Sequence, residues 1–304
     1  MLLTKSLKYK KFNWIESTPG EEYTLTFHTG DLVKRDITDS ITDALSVICE
    51  QAEHKRQGLF LSGGIDSSLI AHFLTINNID FEPVIIRYDH NLNIEDVNNA
   101  IRVCDKLKLD PVILDITHHE FTEYFYQRAY SEYLVNSLSQ AQLFWATEKL
   151  GPEYFMISGE GDPRLFKYQT KDMLGMEMKP QWVAIVDRFN KMSGCYLHHQ
   201  FWETTSDLWY NYHTHYEVTR LKENLHDIPN FKHRLWGTKY WQPKRTGFEK
   251  WSMNYQTMPS DAQQKHLEEL MPKYHTTEPL TLNYDKFWSW MLSPDTQAHI
   301  NDLR

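Results

Sequence analysis

The run LFLSGGIDSSLIAHFL, residues 59–74, decides the fold that we expect for this chain. Residues 59–61 end an apolar stretch typical of a buried strand, and the apolar residues within 69–74 recur at helical spacing. Ser62-Gly63-Gly64 stands between them, where small residues permit a tight turn. The run therefore predicts a strand, a short loop and the start of a helix.

The residue types in this loop indicate an anion site. Two glycines leave backbone N–H groups open to a ligand, and the N-terminus of a helix adds unpaired donors and the positive end of its dipole. Asp66 supplies a carboxylate that can bind a hard cation, and Ser67 and Ser68 supply hydroxyls. We therefore predict that phosphate binds here together with a metal ion. The longer loop and the Gly-Lys-Ser/Thr ending of a Walker P-loop are missing.

A purely structural interpretation of the same residues stays open. Gly-Gly after a strand can be an ordinary strand-to-helix turn, with a serine as N-cap and Asp66 in the first turn to suit the dipole. That interpretation does not account for hydroxyls, amides and a carboxylate that converge at the carboxyl end of a strand. Because open parallel sheets bind ligands at that end, we favour the ligand site.

Composition narrows the class of protein. The 304 residues are 41% hydrophobic and 24% charged with a net charge of −9, which is typical of a globular protein and argues against a general nucleic-acid binder. No apolar run approaches membrane-spanning length, and the first residues lack the apolar core of a signal peptide, so we expect a cytoplasmic protein without a membrane partner. Cys49, Cys104 and Cys195 form no C-x-x-C pair, which argues against a disulfide framework or a structural zinc site.

Strand and helix patterns alternate along the first half of the chain. Turn residues at 19–20 and 29–31 enclose alternating apolar residues, which predicts a small hairpin, and a helical pattern precedes the loop strand. The later pattern gives a strand at 81–89, a helix at 93–109, a strand at 110–117, a helix at 121–135 and a strand at 154–162. This alternation is typical of a parallel sheet with helices packed on its faces.

From about residue 164 onward the sequence is rich in aromatic residues and poor in strand patterns. Eight of the ten Trp lie beyond residue 180. We predict a helical region whose aromatic side chains pack against the sheet. Stacking on the bases of a single-stranded nucleic acid is the alternative, and the scarcity of interleaved basic residues argues against it.

Three runs together resemble one family. LFLSGGIDSSLIA, FMISGEGD about 90 residues later and YWQPKRTGF later still are similar to the synthetase domain of asparagine synthetases, within the ATP-pyrophosphatase (PP-loop) superfamily. TPGEEYTLTF near the N-terminus and THHEF at 117–121 also resemble segments of that family, so the resemblance covers about residues 15–250. It implies an α/β fold with a parallel, Rossmann-like sheet of the adenine nucleotide alpha hydrolase type and a helical, aromatic-rich C-terminal region.

The resemblance also implies a chemistry. Enzymes of this family bind ATP with Mg²⁺, transfer AMP to a substrate carboxylate with loss of pyrophosphate, and let ammonia or another amine attack the acyl adenylate to form an amide. They are ligases of amino-acid biosynthesis, and aspartate is our first candidate for the carboxylate. The implied partners are therefore ATP, a small carboxylate, and ammonia or an amine donor.

Matched residue by residue, the family motifs imply roles in this chain. Asp66 matches a metal ligand, Asp162 stands one place from the family's second metal ligand and is the candidate to replace it, and Lys244 matches a lysine that contacts the phosphates. Glu160 matches a residue near the nucleotide and the acyl centre, where a carboxylate could take a proton from the incoming ammonium. The positions that match the ATP site are Leu61, Ser62, Gly63, Gly64, Asp66, Ser67, Ser68 and Gly159.

Some of these matches have a plainer interpretation. Residues 158–161 could be only a strand-to-loop turn, since small residues are common at strand ends. Lys244 beside Arg245 could be only a solvated basic turn. The run His118–Glu120 looks like a metal cluster, but neighbouring side chains on a strand point to opposite faces, so we expect a structural or interface role for it.

The chain departs from the family in two places. The family's synthetases normally begin with a catalytic N-terminal cysteine on a glutaminase domain, whereas Leu2 follows Met1 here. We therefore expect no glutamine hydrolysis and, where glutamine is the nitrogen source, a separate glutaminase. The S-G-E-G run continues into Asp162-Pro163-Arg164, so Asp162 would replace the family's second metal ligand. Arg164, a cation where the family has Glu, would favour a more anionic acceptor.

Two further functions remain as alternatives. One is an ATP pyrophosphatase that modifies a nucleoside or a tRNA base, although such enzymes often carry cysteine or zinc ligands that this chain lacks. The other is a non-catalytic nucleotide-binding homologue. For the domains we expect an N-terminal hairpin and lead-in helix at 1–50, an ATP-pyrophosphatase α/β domain at 51–175, and a helical C-terminal region at 176–304 that completes the active site.

Overall fold

The structure is a computed structural model that describes residues 15–18, 24–27, 35–91, 93–133, 135, 138–159, 164–167, 174–177, 180–199 and 201–213. Its elements in chain order are β1 (Ile15–Thr18), β2 (Thr24–Phe27), α1 (Ile37–Ala52), β3 (Arg56–Phe60), α2 (Ile65–Ile76), β4 (Glu82–Tyr88), α3 (Ile94–Leu107), β5 (Val112–Ile116), α4 (His118–Glu120), α5 (Tyr126–Tyr133), α6 (Leu138–Leu150), β6 (Tyr154–Ile157), β7 (Arg164–Lys167), β8 (Leu174–Glu177), α7 (Pro180–Ser193), β9 (Tyr196–His198) and α8 (Ser206–His213). Within these ranges, no helix is long and apolar enough to cross a membrane.

A five-stranded sheet in the order β5-β4-β3-β6-β9 forms the centre of the fold. Every neighbouring pair is parallel. Parallel strands need crossover connections, which the intervening helices supply. The parallel α/β fold that the alternating pattern predicted is therefore confirmed. The hairpin of β1 and β2 is a separate antiparallel pair.

Alternate side chains of the central strands face two different apolar cores. Leu59 packs with residues of α1, α2, α3 and α8, whereas Phe60 packs with residues of α5, α6 and α7. β6 alternates in the same way, with Ile157 in the first core and Met156 in the second. The sheet is thus the middle of three layers, and helices cover both of its faces.

The strand order reverses at β3, and this reversal positions the site. From β3 the chain continues to β4 and β5 on one side, then returns to β6 and β9 on the other side. Open parallel sheets bind ligands outside the carboxyl ends of the strands at such a reversal. The segments that leave β3 and β6 there are residues 61–64 and 158–159.

Sequence patterns missed three strands. β7 and β8 form an antiparallel hairpin, and β9 adds an edge strand to the central sheet, all in the part of the chain expected to be poor in strands. β9 has only three residues, so it is too short for a recognisable alternation. Its position is instead fixed by Asn190 of α7. The Asn190 side chain accepts from the Leu197 N–H (3.0 Å) and donates to the Leu197 carbonyl (3.2 Å).

The run His118–Glu120 is a correction to the sequence analysis. These residues do not continue β5, which ends at Ile116, but form α4 and lead into a π-helical turn at Phe121–Phe125. We expected these residues to alternate across a strand, and that expectation is wrong because their backbone is helical. Among the described residues, no group of three or more His, Cys, Asp or Glu side chains could hold a metal ion. Cys49, Cys104 and Cys195 are free thiols.

Replacing Asn190 by Ala tests how the edge strand is held. The buried N–H and C=O of Leu197 would lose their partners, and we expect the free energy of unfolding to fall by about 1–3 kcal/mol in a urea titration. Asn98→Ala is the matched control, because Asn98 is exposed on α3. An equal loss in the two variants would contradict this role of Asn190.

Candidate functional site at the carboxyl ends of β3 and β6

Backbone hydrogen bonds and serine hydroxyls both hold the loop after β3 in position. Leu61 is buried and its N–H donates to the Val84 carbonyl at 2.9 Å, so it extends the β3–β4 ladder by one residue. Gly64 is the N-cap of α2 and offers no side-chain oxygen to the first helical N–H groups. The N-terminus of α2 is therefore open to an external acceptor.

Two serine hydroxyls brace this loop. Ser67 Oγ accepts from the Ser62 N–H (3.3 Å), donates to the Gly64 carbonyl (3.3 Å) and lies 3.2 Å from Ser62 Oγ. Ser62 Oγ also accepts from the Gly64 N–H at 3.3 Å. Ser62 and Ser67, both predicted to bind ATP, thus stabilise the turn itself in this structure.

Gly63 is required at its position by its backbone conformation and by the lack of room for a side chain against α3. Its φ is +73°, and a Cβ atom on it would lie 2.5 Å from Asn99 Cβ and 2.6 Å from the backbone nitrogen of Ala100. An L-residue rarely adopts this φ, and the backbone of α3 cannot move aside cheaply. Gly63 therefore lets the loop lie directly against α3.

Gly159 connects the second predicted segment to the first. A Cβ atom on Gly159 would lie 3.0 Å from the Ser67 backbone nitrogen and 3.2 Å from Asp66 Cβ. Its neighbour Ser158 is buried, and the Ser158 N–H donates to the His198 carbonyl at 2.8 Å. Two motifs about 90 residues apart in sequence are thus brought into contact at the strand reversal.

The Asp66 carboxylate has an aromatic neighbour that the sequence analysis missed. Trp202 Nε1 donates to Asp66 Oδ1 at 2.9 Å. Trp202 is fully buried, and its ring lies 4.9 Å from the Tyr212 ring, centroid to centroid. Burial, and to a smaller extent the charge of Asp66, raises the pKa of Tyr212. The segment after β9 therefore forms the wall behind the predicted metal ligand.

Two buried polar groups beside the loop have no hydrogen-bond partner. The Ser68 hydroxyl and the Asn99 Nδ2 amide are buried without a hydrogen-bond partner, although Asn99 Oδ1 accepts from Arg102 Nη2 at 2.6 Å. A buried polar group without a partner costs about 1–3 kcal/mol and calls for an explanation. Ser68 lies in the first turn of α2, where a bound anion would supply an acceptor.

Asp96 is a further buried polar group close to the loop. It is 7% exposed and lies one helical turn before Asn99 and Ala100 on the face of α3 that meets Gly63. Burial, with a smaller contribution from Glu95, raises the pKa of Asp96 to about 7. No motif marked this residue, because a single acid in a helix's first turn is common in sequences.

The structure brings together those residues of the predicted ATP site that it describes. Leu61, Ser62, Gly63, Gly64, Asp66, Ser67, Ser68 and Gly159 all lie at the meeting of the two segments. The two predicted catalytic residues, Glu160 and Lys244, lie outside the described residues, as does the second predicted metal ligand, Asp162. Among the residues described, Asp66 and the open N-terminus of α2 fit a phosphate with a hard cation.

The chain is a parallel α/β protein with a glycine-serine loop at its strand reversal, the place where open parallel sheets bind ligands. Residues 42–285 match the family model for asparagine synthase. The chain belongs to the asparagine synthase family. Among curated proteins, none is significantly similar to it in sequence.

The similarity of this chain to solved structures is low in both sequence identity and TM-score. The NH3-dependent NAD synthetase from Campylobacter jejuni is 14% identical, with 79% of this chain and 93% of that chain covered and a TM-score of 0.33. The NMN synthetase from Francisella tularensis is 14% identical, with 77% and 97% covered and a TM-score of 0.32. At these TM-scores no functional assignment rests on the similarity.

Replacing Gly63 by Ala should destabilise the protein in two ways. The left-handed conformation costs about 1–2 kcal/mol for a residue with a Cβ atom, and the contact with α3 adds about 1–3 kcal/mol of overpacking. Gly194→Ala separates the two costs, because Gly194 has a φ of +71° but nothing within 4 Å of its added Cβ. Equal losses in the free energy of unfolding would show that the contact with α3 is unimportant.

Asp96 should make stability depend on pH. The folded protein keeps a proton on Asp96 up to about pH 7, whereas the unfolded chain releases it near pH 4. Stability due to this group is therefore present below about pH 4 and is lost as the pH rises through 7. In urea titrations at pH 4.5, 6 and 8, the free energy of unfolding of wild type should fall with rising pH relative to that of Asp96→Asn. Asp105→Asn, at an exposed carboxyl on the same helix, is the control, and a pH-independent difference for Asp96→Asn would contradict the expectation.

Proposed function

We propose that this protein is an ATP-dependent amide ligase. It transfers AMP from ATP to a substrate carboxylate with release of pyrophosphate, and ammonia or another amine then attacks the acyl adenylate to form the amide and release AMP. Membership in the asparagine synthase family supports an ATP-dependent ligase. Aspartate is our first candidate for the carboxylate, as in the enzymes that give the family its name.

One observation carries the proposal: the segment after β6 touches the first turn of α2 at the strand reversal. Gly159 lies so close to the Asp66–Ser67 backbone that a Cβ atom on it would be 3.0 Å from the Ser67 nitrogen, a tighter contact than a side chain normally makes. A ligand held at the N-terminus of α2 would therefore also lie beside the segment that leads to Glu160. We expect the phosphate-binding groups and the groups that act on the acyl centre to lie side by side in this way, because the reacting parts of ATP and the carboxylate must be held together.

The described residues have separable roles in this proposal. Open N–H groups at the start of α2 would donate hydrogen bonds to the phosphate oxygens, and the unpaired Ser68 hydroxyl would donate to one of these oxygens. Asp66 would hold Mg²⁺, which offsets the charge that develops on the departing pyrophosphate. Ser62 and Ser67 would keep the loop in shape for the nucleotide.

Three residues outside the described ranges are proposed from the family resemblance. Lys244 would stabilise negative charge on the pyrophosphate, and Glu160 would take a proton from the attacking ammonium, which must be neutral to react. Asp162 would contribute to the metal site. Arg164, whose backbone lies at the start of β7, would bias the acceptor toward additional negative charge.

ATP–pyrophosphate exchange tests the reaction. Radiolabel from pyrophosphate should enter ATP only when an acceptor carboxylate is present, so the assay is run with aspartate, glutamate, larger di-acids and a nucleoside panel. Asp66→Asn should reduce exchange at least ~100-fold, because the metal that stabilises the departing pyrophosphate is lost. Asp39→Asn, at an exposed carboxyl on α1, is the matched control.

Each outcome of this assay decides between functions. Exchange that depends on a carboxylate supports the ligase, and amide formation with ammonium then identifies the product. Exchange that depends only on a nucleoside would replace the ligase by a base-modifying enzyme. ATP binding without exchange for any acceptor would indicate a nucleotide-binding protein without this activity and would refute the proposal.

A further inference from the structure

The proposed function does not yet account for the contact between Trp202 and the Asp66 carboxylate. The indole N–H of Trp202 donates to one carboxylate oxygen, Oδ1, at 2.9 Å. Trp202 follows β9 and lies 136 residues after Asp66, so the contact depends on the assembled fold and not on local sequence. Carboxylates that bind metal ions are commonly held by such outer hydrogen bonds.

Packing leaves Trp202 little freedom to move. It is fully buried, it meets the Phe201 ring edge-on at 5.5 Å, and the Tyr212 ring lies 4.9 Å away. Tyr212 belongs to α8, which is attached to α1 by a bond from Asn211 Nδ2 to Ser40 Oγ at 3.1 Å. The indole nitrogen is thus a fixed donor, and the Asp66 side chain is the group that it orients.

From this geometry we infer that Trp202 is a positioning residue for metal binding by Asp66. The indole N–H holds one carboxylate oxygen and so fixes the orientation in which the Asp66 side chain would meet Mg²⁺. The inference rests on the proposed function, and it adds that the segment after β9 sets the metal affinity of the site. In this role Trp202 would act through Asp66, whose carboxylate it contacts directly.

Metal-dependent nucleotide binding distinguishes this role from a general structural one. Calorimetry measures the affinity of wild type and Trp202→Phe for ATP with Mg²⁺ and for ATP with EDTA. Phe keeps an aromatic ring against Tyr212 but removes the N–H donor. We expect binding of Mg-ATP to weaken about 10- to 100-fold, the range for loss of an outer-shell partner, while metal-free ATP binds as in wild type.

A second buried tryptophan supplies the control. Trp145→Phe removes an indole from α6 in the core on the opposite face of the sheet, where it should leave both affinities unchanged. Unchanged Mg-ATP binding in Trp202→Phe would overturn the inference. Equal weakening with and without metal would also overturn it, because it would show a structural role. Failure of wild type to bind Mg-ATP would instead refute the proposed function, and this inference with it.

A measurement on wild type removes the dependence on how Trp202→Phe folds. With ¹⁵N-labelled tryptophan, one indole N–H resonance should be displaced by Asp66→Asn and should also shift when Mg²⁺ is added to the ATP complex. Asp39→Asn should displace none of the indole resonances. The absence of a resonance that responds to both changes would overturn the inference.

Discussion

The close approach of Gly63 to α3 is the contact on which the site depends. β3 brings the chain to the carboxyl edge of the sheet, and the loop must turn there within a few residues to start α2. A side chain at Gly63 would push the loop away from the backbone at Asn99–Ala100. The loop would then lift from the sheet, and the N-terminus of α2 would no longer lie beside the segment after β6. Backbone contact, more than any side-chain bond, sets the position of the predicted anion site.

This constraint explains which parts of the fold the sequence could predict. The strand, loop and helix of 59–74 follow from local apolar spacing and from the conformations open to glycine, and the structure has them at β3 and α2. The parallel sheet follows from the alternation of elements. β9 could not be predicted in this way, because three residues carry no period and the strand is held by Asn190 from a neighbouring helix.

The same distinction applies inside the site. Gly159 and the loop residues were found because each belongs to a short run with a recognisable spacing. Trp202 and Asp96 were not found, since neither belongs to such a run. Trp202 acquires its importance from a bond to a residue 136 positions away, and Asp96 acquires its raised pKa from burial. Both are properties of the tertiary structure, and only the folded chain displays them.

The unpaired polar groups beside the loop lower the stability of the folded protein. Ser68 and the Asn99 amide are buried without a partner, and Asp96 is held in a place that favours its neutral form. Apolar side chains of similar size would cost less at each position. Such groups persist in native proteins where a ligand, an ion or a reaction satisfies them. In the function that we propose, a bound anion and its metal ion would satisfy the groups beside Gly63 and the start of α2. A protein that kept the loop only as a turn would gain stability by losing these groups.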